Sequence, residues 1–75
     1  MPQASEDKPL YWDAIYEIVL ALKARHPDED LEVLSLLTLY ERILALPNFA
    51  DDPALANDDI LAAIYQEWFE ENNPL

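Results

Sequence analysis

The 75 residues set the scale of one small domain, which buries only about 60% of the surface its unfolded chain exposes, yet 52% apolar and 11% aromatic content exclude an acidic disordered chain. Sixteen Asp and Glu against four Lys and Arg give a formal net charge of −12, a field that repels nucleic-acid phosphates and anionic lipid and attracts cations and basic proteins. With no Cys and no Gly, disulfides, thiolate metal sites, persulfide carriage and glycine-built phosphate loops are excluded as well.

Residues 1–9, MPQASEDKP, carry neither the basic flank nor the apolar run of a signal peptide and read as a flexible N-terminal tail. A single domain is expected over 10–75. No apolar run approaches the ~20 residues of a membrane span, so a soluble, cytoplasmic protein with no membrane partner is expected.

The first helix is predicted from an N-cap at Asp13 to Arg25. Ile15, Ile18, Val19 and Leu22 recur at the spacing of one apolar face. Lys23 and Arg25 favour its negative end, and His26 before Pro27 stops it. In PDEDLEVLS, Leu31 and Val33 alternate with Glu32, which allows a short extended segment. Ser35 then caps a second helix reaching Leu46, with Leu36, Leu39, Tyr40, Ile43 and Leu46 inward and Leu37 and Leu44 widening the stripe. Pro47 ends it. After the loop PNFADDPALA, Asn57 caps a third helix from Asp58 to Asn72, with Ile60, Leu61, Ile64, Trp68 and Phe69 inward. The fold class is mainly α: a small three-helix domain.

Charge is uneven along this plan. From Ile43 to Leu75 there are seven carboxylates and no base. Asp58 and Asp59 in a first helical turn gain about 0.3–1 kcal/mol from the N-terminal partial charge, which accounts for them structurally. Asp51 and Asp52, in the loop before Pro53, have no such account. Were the loop to fold back, Asp51, Asp52, Asp58 and Asp59 would offer an all-oxygen site for a hard cation or iron, without the spacing of a calcium loop. His26 has no second imidazole or thiolate with which to build a tetrahedral site, and Ser5 and Ser35 have no triad partner. No catalytic residue is assigned, and the chain is not expected to be an enzyme.

Among the aromatics, Trp12, Trp68 and Tyr65 are candidate recognition anchors. Trp68 follows Ile60 and Ile64 at four-residue steps, which places it in the core. Tyr65 and the run Glu67 to Glu71 lie more outward and suit an interface.

The combination of Leu10 and Trp12; Pro27, Asp28 and Asp30; Leu46, Phe49, Asp51, Asp52 and Pro53; Asn57, Ile60, Leu61, Ala63 and Ile64; and Trp68, Glu70 and Glu71 resembles the IscX family, small acidic accessory proteins of bacterial iron-sulfur cluster assembly. The spacing holds without gaps from Trp12 to Glu71. The chain departs from the family pattern at Leu36, Leu37, Thr38, Tyr40, Arg42 and Ala62. The resemblance implies a winged-helix-like fold that does not act on DNA, binding to a cysteine desulfurase, and weak iron binding by surface carboxylates with no bound cluster. On that reading Asp51, Asp52, Asp58 and Asp59 are the metal candidates. Asp28, Asp30, Tyr65, Glu67, Glu70 and Glu71 are the partner-binding candidates, on a monomer. The rival is a salt-adapted acidic interaction domain with no iron function. A DNA reader would need a basic recognition face that this composition lacks.

Overall fold

Among the described residues three helices, α1 (Ile15–Arg25), α2 (Leu36–Leu44) and α3 (Asp58–Asn72), build the fold, with a 3-10 turn at Pro53–Leu55 leading into the last. The computed structural model describes residues 8–72, so the expected tail lies, for residues 1–7, outside the described residues. Among the described residues no helix is long and apolar enough to cross a membrane.

The core is a cluster of side chains from all three helices and the segments before and between them. Ile18, Val19 and Leu22 of α1, Leu39 and Ile43 of α2, and Leu61, Ile64 and Trp68 of α3 are buried together, closed over by Leu10, Trp12, Leu31 and Leu46 from the connecting segments. α1 packs chiefly against α3, and α2 lies against both. Trp68 is fully enclosed, as its four-residue spacing from Ile64 predicts, and truncating it to Ala would cost about 3–5 kcal/mol.

Local chemistry sets the helix boundaries. Ser35 caps α2 by accepting from the Thr38 backbone N–H at 3.1 Å. Asn57 caps α3 by accepting from the Ile60 N–H at 2.8 Å. His26 ends α1, its N–H donating to the Leu22 carbonyl at 2.8 Å.

Several expectations are corrected, and Phe69 of α3, expected inward, is exposed. Asp13 does not cap α1: the cap position is Ala14, which has no side-chain acceptor. Residues 11–14 form a turn instead, with the Ala14 N–H on the Tyr11 carbonyl at 2.9 Å, because Trp12 is held in the core and fixes the backbone before the helix can start. The segment 27–35 runs through turns and is not extended. Leu37 and Leu44 do not widen the buried stripe of α2: they stay exposed, and α2 stops at Leu44 while Leu46 turns back into the core.

No strand forms among the described residues. An isolated parallel bridge pairs Leu10 with Phe49. Around it the Leu10 N–H donates to the Asn48 carbonyl at 2.8 Å and the Ala50 N–H to the Leu10 carbonyl at 2.9 Å. The Asn48 side chain adds a bond to the Lys8 carbonyl at 2.8 Å. Residues 8–12 are thereby laced to the loop that carries Asp51 and Asp52.

Candidate functional site

The Asp51–Asp52 pair lies against the indole of Trp12. Asp51 accepts from the Trp12 backbone N–H through Oδ2 at 2.9 Å and from the Asp52 N–H through Oδ1 at 2.7 Å. Asp52 accepts from the Ala54 N–H at 2.9 Å, capping the 3-10 turn whose first residue is Pro53. Its carbonyl takes the Trp12 indole N–H at 2.8 Å. Trp12 is thus a core residue, not a recognition anchor: it is 4% exposed, edge-on to Phe49 with centroids 4.7 Å apart and parallel to Tyr40 at 6.4 Å. An Asp ahead of Pro is a turn-starting signal in its own right, and it is the sequence feature from which this structural role could have been read.

The other two aspartates go elsewhere. Asp58 borders a groove between the start of α2 and the 3-10 turn. Asp59 heads a stripe on α3 with Ala63, Gln66 and Glu70, at helical steps of four, three and four. Among the described residues no three Asp, Glu, His or Cys side chains are gathered so as to hold a metal ion. Of the four metal candidates, Asp51 and Asp58 therefore border different grooves.

Of the partner candidates, Asp30 and Tyr65 both border the α1–α2 connector. Tyr65 donates its hydroxyl hydrogen to the Leu31 carbonyl, tying the α1–α2 connector to α3. Tyr65 and Phe69 stack with centroids 6.4 Å apart. A shallow groove of about 230 Å³ follows, in which Glu29, Asp30 and Glu32 of the connector face Phe69 and Asn72 of α3. Asp30 also accepts from the Glu32 N–H at 3.0 Å, and Asp28 is exposed beside it. On the last two turns of α3 Glu70 is exposed and Glu67 half-buried, with Gln66 donating to Glu70 at 3.2 Å. Glu71 is turned toward α1, its carboxylate 3.7 Å from the Lys23 ammonium.

The electrostatics of this end run against helix chemistry. The last turn of α3 has no basic residue, and carboxylates there face the helix's own negative end, each costing about 0.3–1 kcal/mol. Lys23 offsets part of this at Glu71. Nearer α2, Arg42 pairs with Glu29 at 2.9 Å, and His26 borders the shallow groove that Arg42 also lines. Burial, and next the Arg42 charge, hold the His26 imidazole below its ordinary pKa.

The sequence profile of the iron-sulphur cluster assembly family matches residues 10–73. The chain belongs to that family. The match runs from the bridge residue Leu10 to the end of α3, so the IscX family domain covers the entire helical core. A curated but uncharacterized protein of Pseudomonas aeruginosa is 31% identical over 64 residues, covering 85% of this chain and 97% of that protein. No solved structure matches the chain. Two departures from the IscX pattern have structural partners here: Tyr40 packs on Trp12, and Arg42 holds Glu29.

Proposed function

We propose that this IscX family member is a non-catalytic acidic accessory factor of iron-sulfur cluster assembly, which docks on a basic surface of a cysteine desulfurase. On this proposal the docking surface combines the connector acids Asp28 and Asp30 with Tyr65, Glu67, Glu70 and Glu71 of α3. One observation carries the reading: carboxylates are concentrated on a helix end that disfavours them and has no base of its own in that turn. A local rule broken at a stability cost marks a functional surface, and a basic partner would remove the cost on contact.

Iron, on this proposal, is transient cargo. With no three ligands gathered, and with Asp51 and Asp52 engaged by backbone donors, an ion would be held weakly by surface oxygens, with Asp58 and Asp59 the least encumbered of the four metal candidates.

The test is binding of purified protein to the cysteine desulfurase of the same cell across a salt series, with and without ferrous iron. The Debye length falls from about 10 Å at 0.1 M to about 3 Å at 1 M, so affinity should collapse over that range and should weaken in a Glu67→Gln, Glu70→Gln double variant. Affinity indifferent to both salt and these substitutions would refute the docking. Iron affinity no greater than that of an unrelated acidic protein would refute the cargo role and leave the salt-adapted interaction domain.

A further inference from the structure

A different face of the molecule carries exposed apolar groups in a built shape. The 3-10 turn and its cap, Pro53 to Ala56, form an uncharged ridge with a groove on each side. One groove, about 390 Å³, is floored by Leu36, Tyr40 and Leu61, with Leu37 on its edge and Asp58 beside it. The other, about 570 Å³, is lined by Tyr11, Ile15, Leu55 and Ile60, with Asp13 and Asp51 beside it. Leu37 and Leu55 are 66% and 57% exposed, the outward members of the two walls. No Lys or Arg lines either groove.

We infer that this paired groove is a docking site for a short amphipathic segment of a partner protein, one bearing bulky apolar side chains together with Lys or Arg. The apolar side chains would enter the grooves on either side of the Pro53–Ala56 ridge, as amphipathic peptides seat their anchors. The basic groups would reach Asp58 on one side and Asp13 and Asp51 on the other. Charge decides among occupants: a second copy of a chain at −12 would bring its own carboxylates against these, and an anionic membrane would be repelled. The site lies apart from the acidic end of α3 and does not depend on desulfurase docking.

The site is tested by titrating the labelled full chain with a short synthetic Leu–Lys peptide that folds as an amphipathic helix. A control peptide has every Leu replaced by Ser. The backbone amide signals of the protein are followed by NMR. The Leu–Lys peptide should perturb amides around Leu37, Leu55 and Tyr11. A Leu37→Ser, Leu55→Ser double variant should bind it about tenfold more weakly or worse, given what burying two leucines contributes, while the Lys–Ser control should bind weakly and equally to both proteins. Both substitutions are at exposed positions, and an unchanged spectrum elsewhere would certify the fold. Equal affinity of the double variant for the Leu–Lys peptide, or perturbations confined to Glu67–Asn72, would overturn the inference. So would sedimentation showing a dimer of the parent protein that the double variant abolishes, since the face would then belong to a second copy. Desulfurase binding is read separately through Glu67 and Glu70, so either proposal can fail alone.

Discussion

The carboxylate of Asp51 accepts the backbone N–H of Trp12 at 2.9 Å across 39 residues of sequence. With its other oxygen on the Asp52 N–H, it fastens the N-terminal segment to the loop before α3. Asp51→Ala leaves both N–H groups without their acceptor, and hydrogen bonds to a charged group contribute about 1.5–3 kcal/mol. For a domain of this size, that corresponds to a fall in melting temperature on the order of 10 °C. Circular dichroism melts check it, and a melt unchanged within error would show the fastening to be unimportant. A loss of iron in Asp51 variants is interpretable only beside such a melt.

Removal of the Tyr65 hydroxyl addresses the connector. Tyr65→Phe keeps the ring stacked on Phe69 and deletes the donor to the Leu31 carbonyl, a loss of about 1 kcal/mol. The release should be local, with faster amide hydrogen exchange in residues 28–34 and little change in α1. Uniform acceleration across the chain would mean that the bond supports the whole core instead.

Glu70→Gln should move stability and docking in opposite directions. It removes a carboxylate from the disfavoured end of α3, which stabilises the fold by about 0.3–1 kcal/mol at low salt, and it subtracts charge from the proposed docking face. A higher urea midpoint together with weaker desulfurase binding is the expected pair of results. A lower midpoint would contradict the helix-end argument.

Acid sensitivity should trace in part to His26. Burial first, and then the Arg42 charge, hold its folded-state pKa below the ordinary value of 6.5. The unfolded chain therefore takes up the proton at a higher pH than the folded one does. The associated stability is fully present above pH 6.5 and declines as pH falls through that value toward the lower folded one. Against a His26→Asn variant, the difference in urea midpoint should be flat above pH 7 and shift in the variant's favour below pH 6.5. A difference independent of pH would remove His26 from the account.

The helices were legible because their signals are local. Ser35 and Asn57 cap where their types predict, and the apolar spacing of α1 and α3 names the buried Ile18, Val19, Leu22, Leu61, Ile64 and Trp68. Leu37 and Leu44 misled because a run of leucines gives a wider stripe than a short helix on a two-helix partner can bury. The role of Trp12 was not legible from periodicity, since its partners are supplied by a loop 39 and 40 positions away. The candidate site divides the same way. The outward place of Glu70 follows from helical phase, while the turn of Glu71 toward Lys23 and the engagement of Asp51 and Asp52 are tertiary facts that composition had left open.

The Trp12 fastening also bears on when the molecule can be completed. Leu10 and Trp12 leave the ribosome early, but the groups that cover them are synthesised about forty residues later. Helices of 11 and 9 residues are marginal alone in water, and closing so wide a loop costs chain entropy before any contact offsets it. A nascent chain halted before Phe49 would therefore hold its first indole without its loop partners and its first two helices flickering. Only the last third of translation can convert the whole into a protease-resistant body.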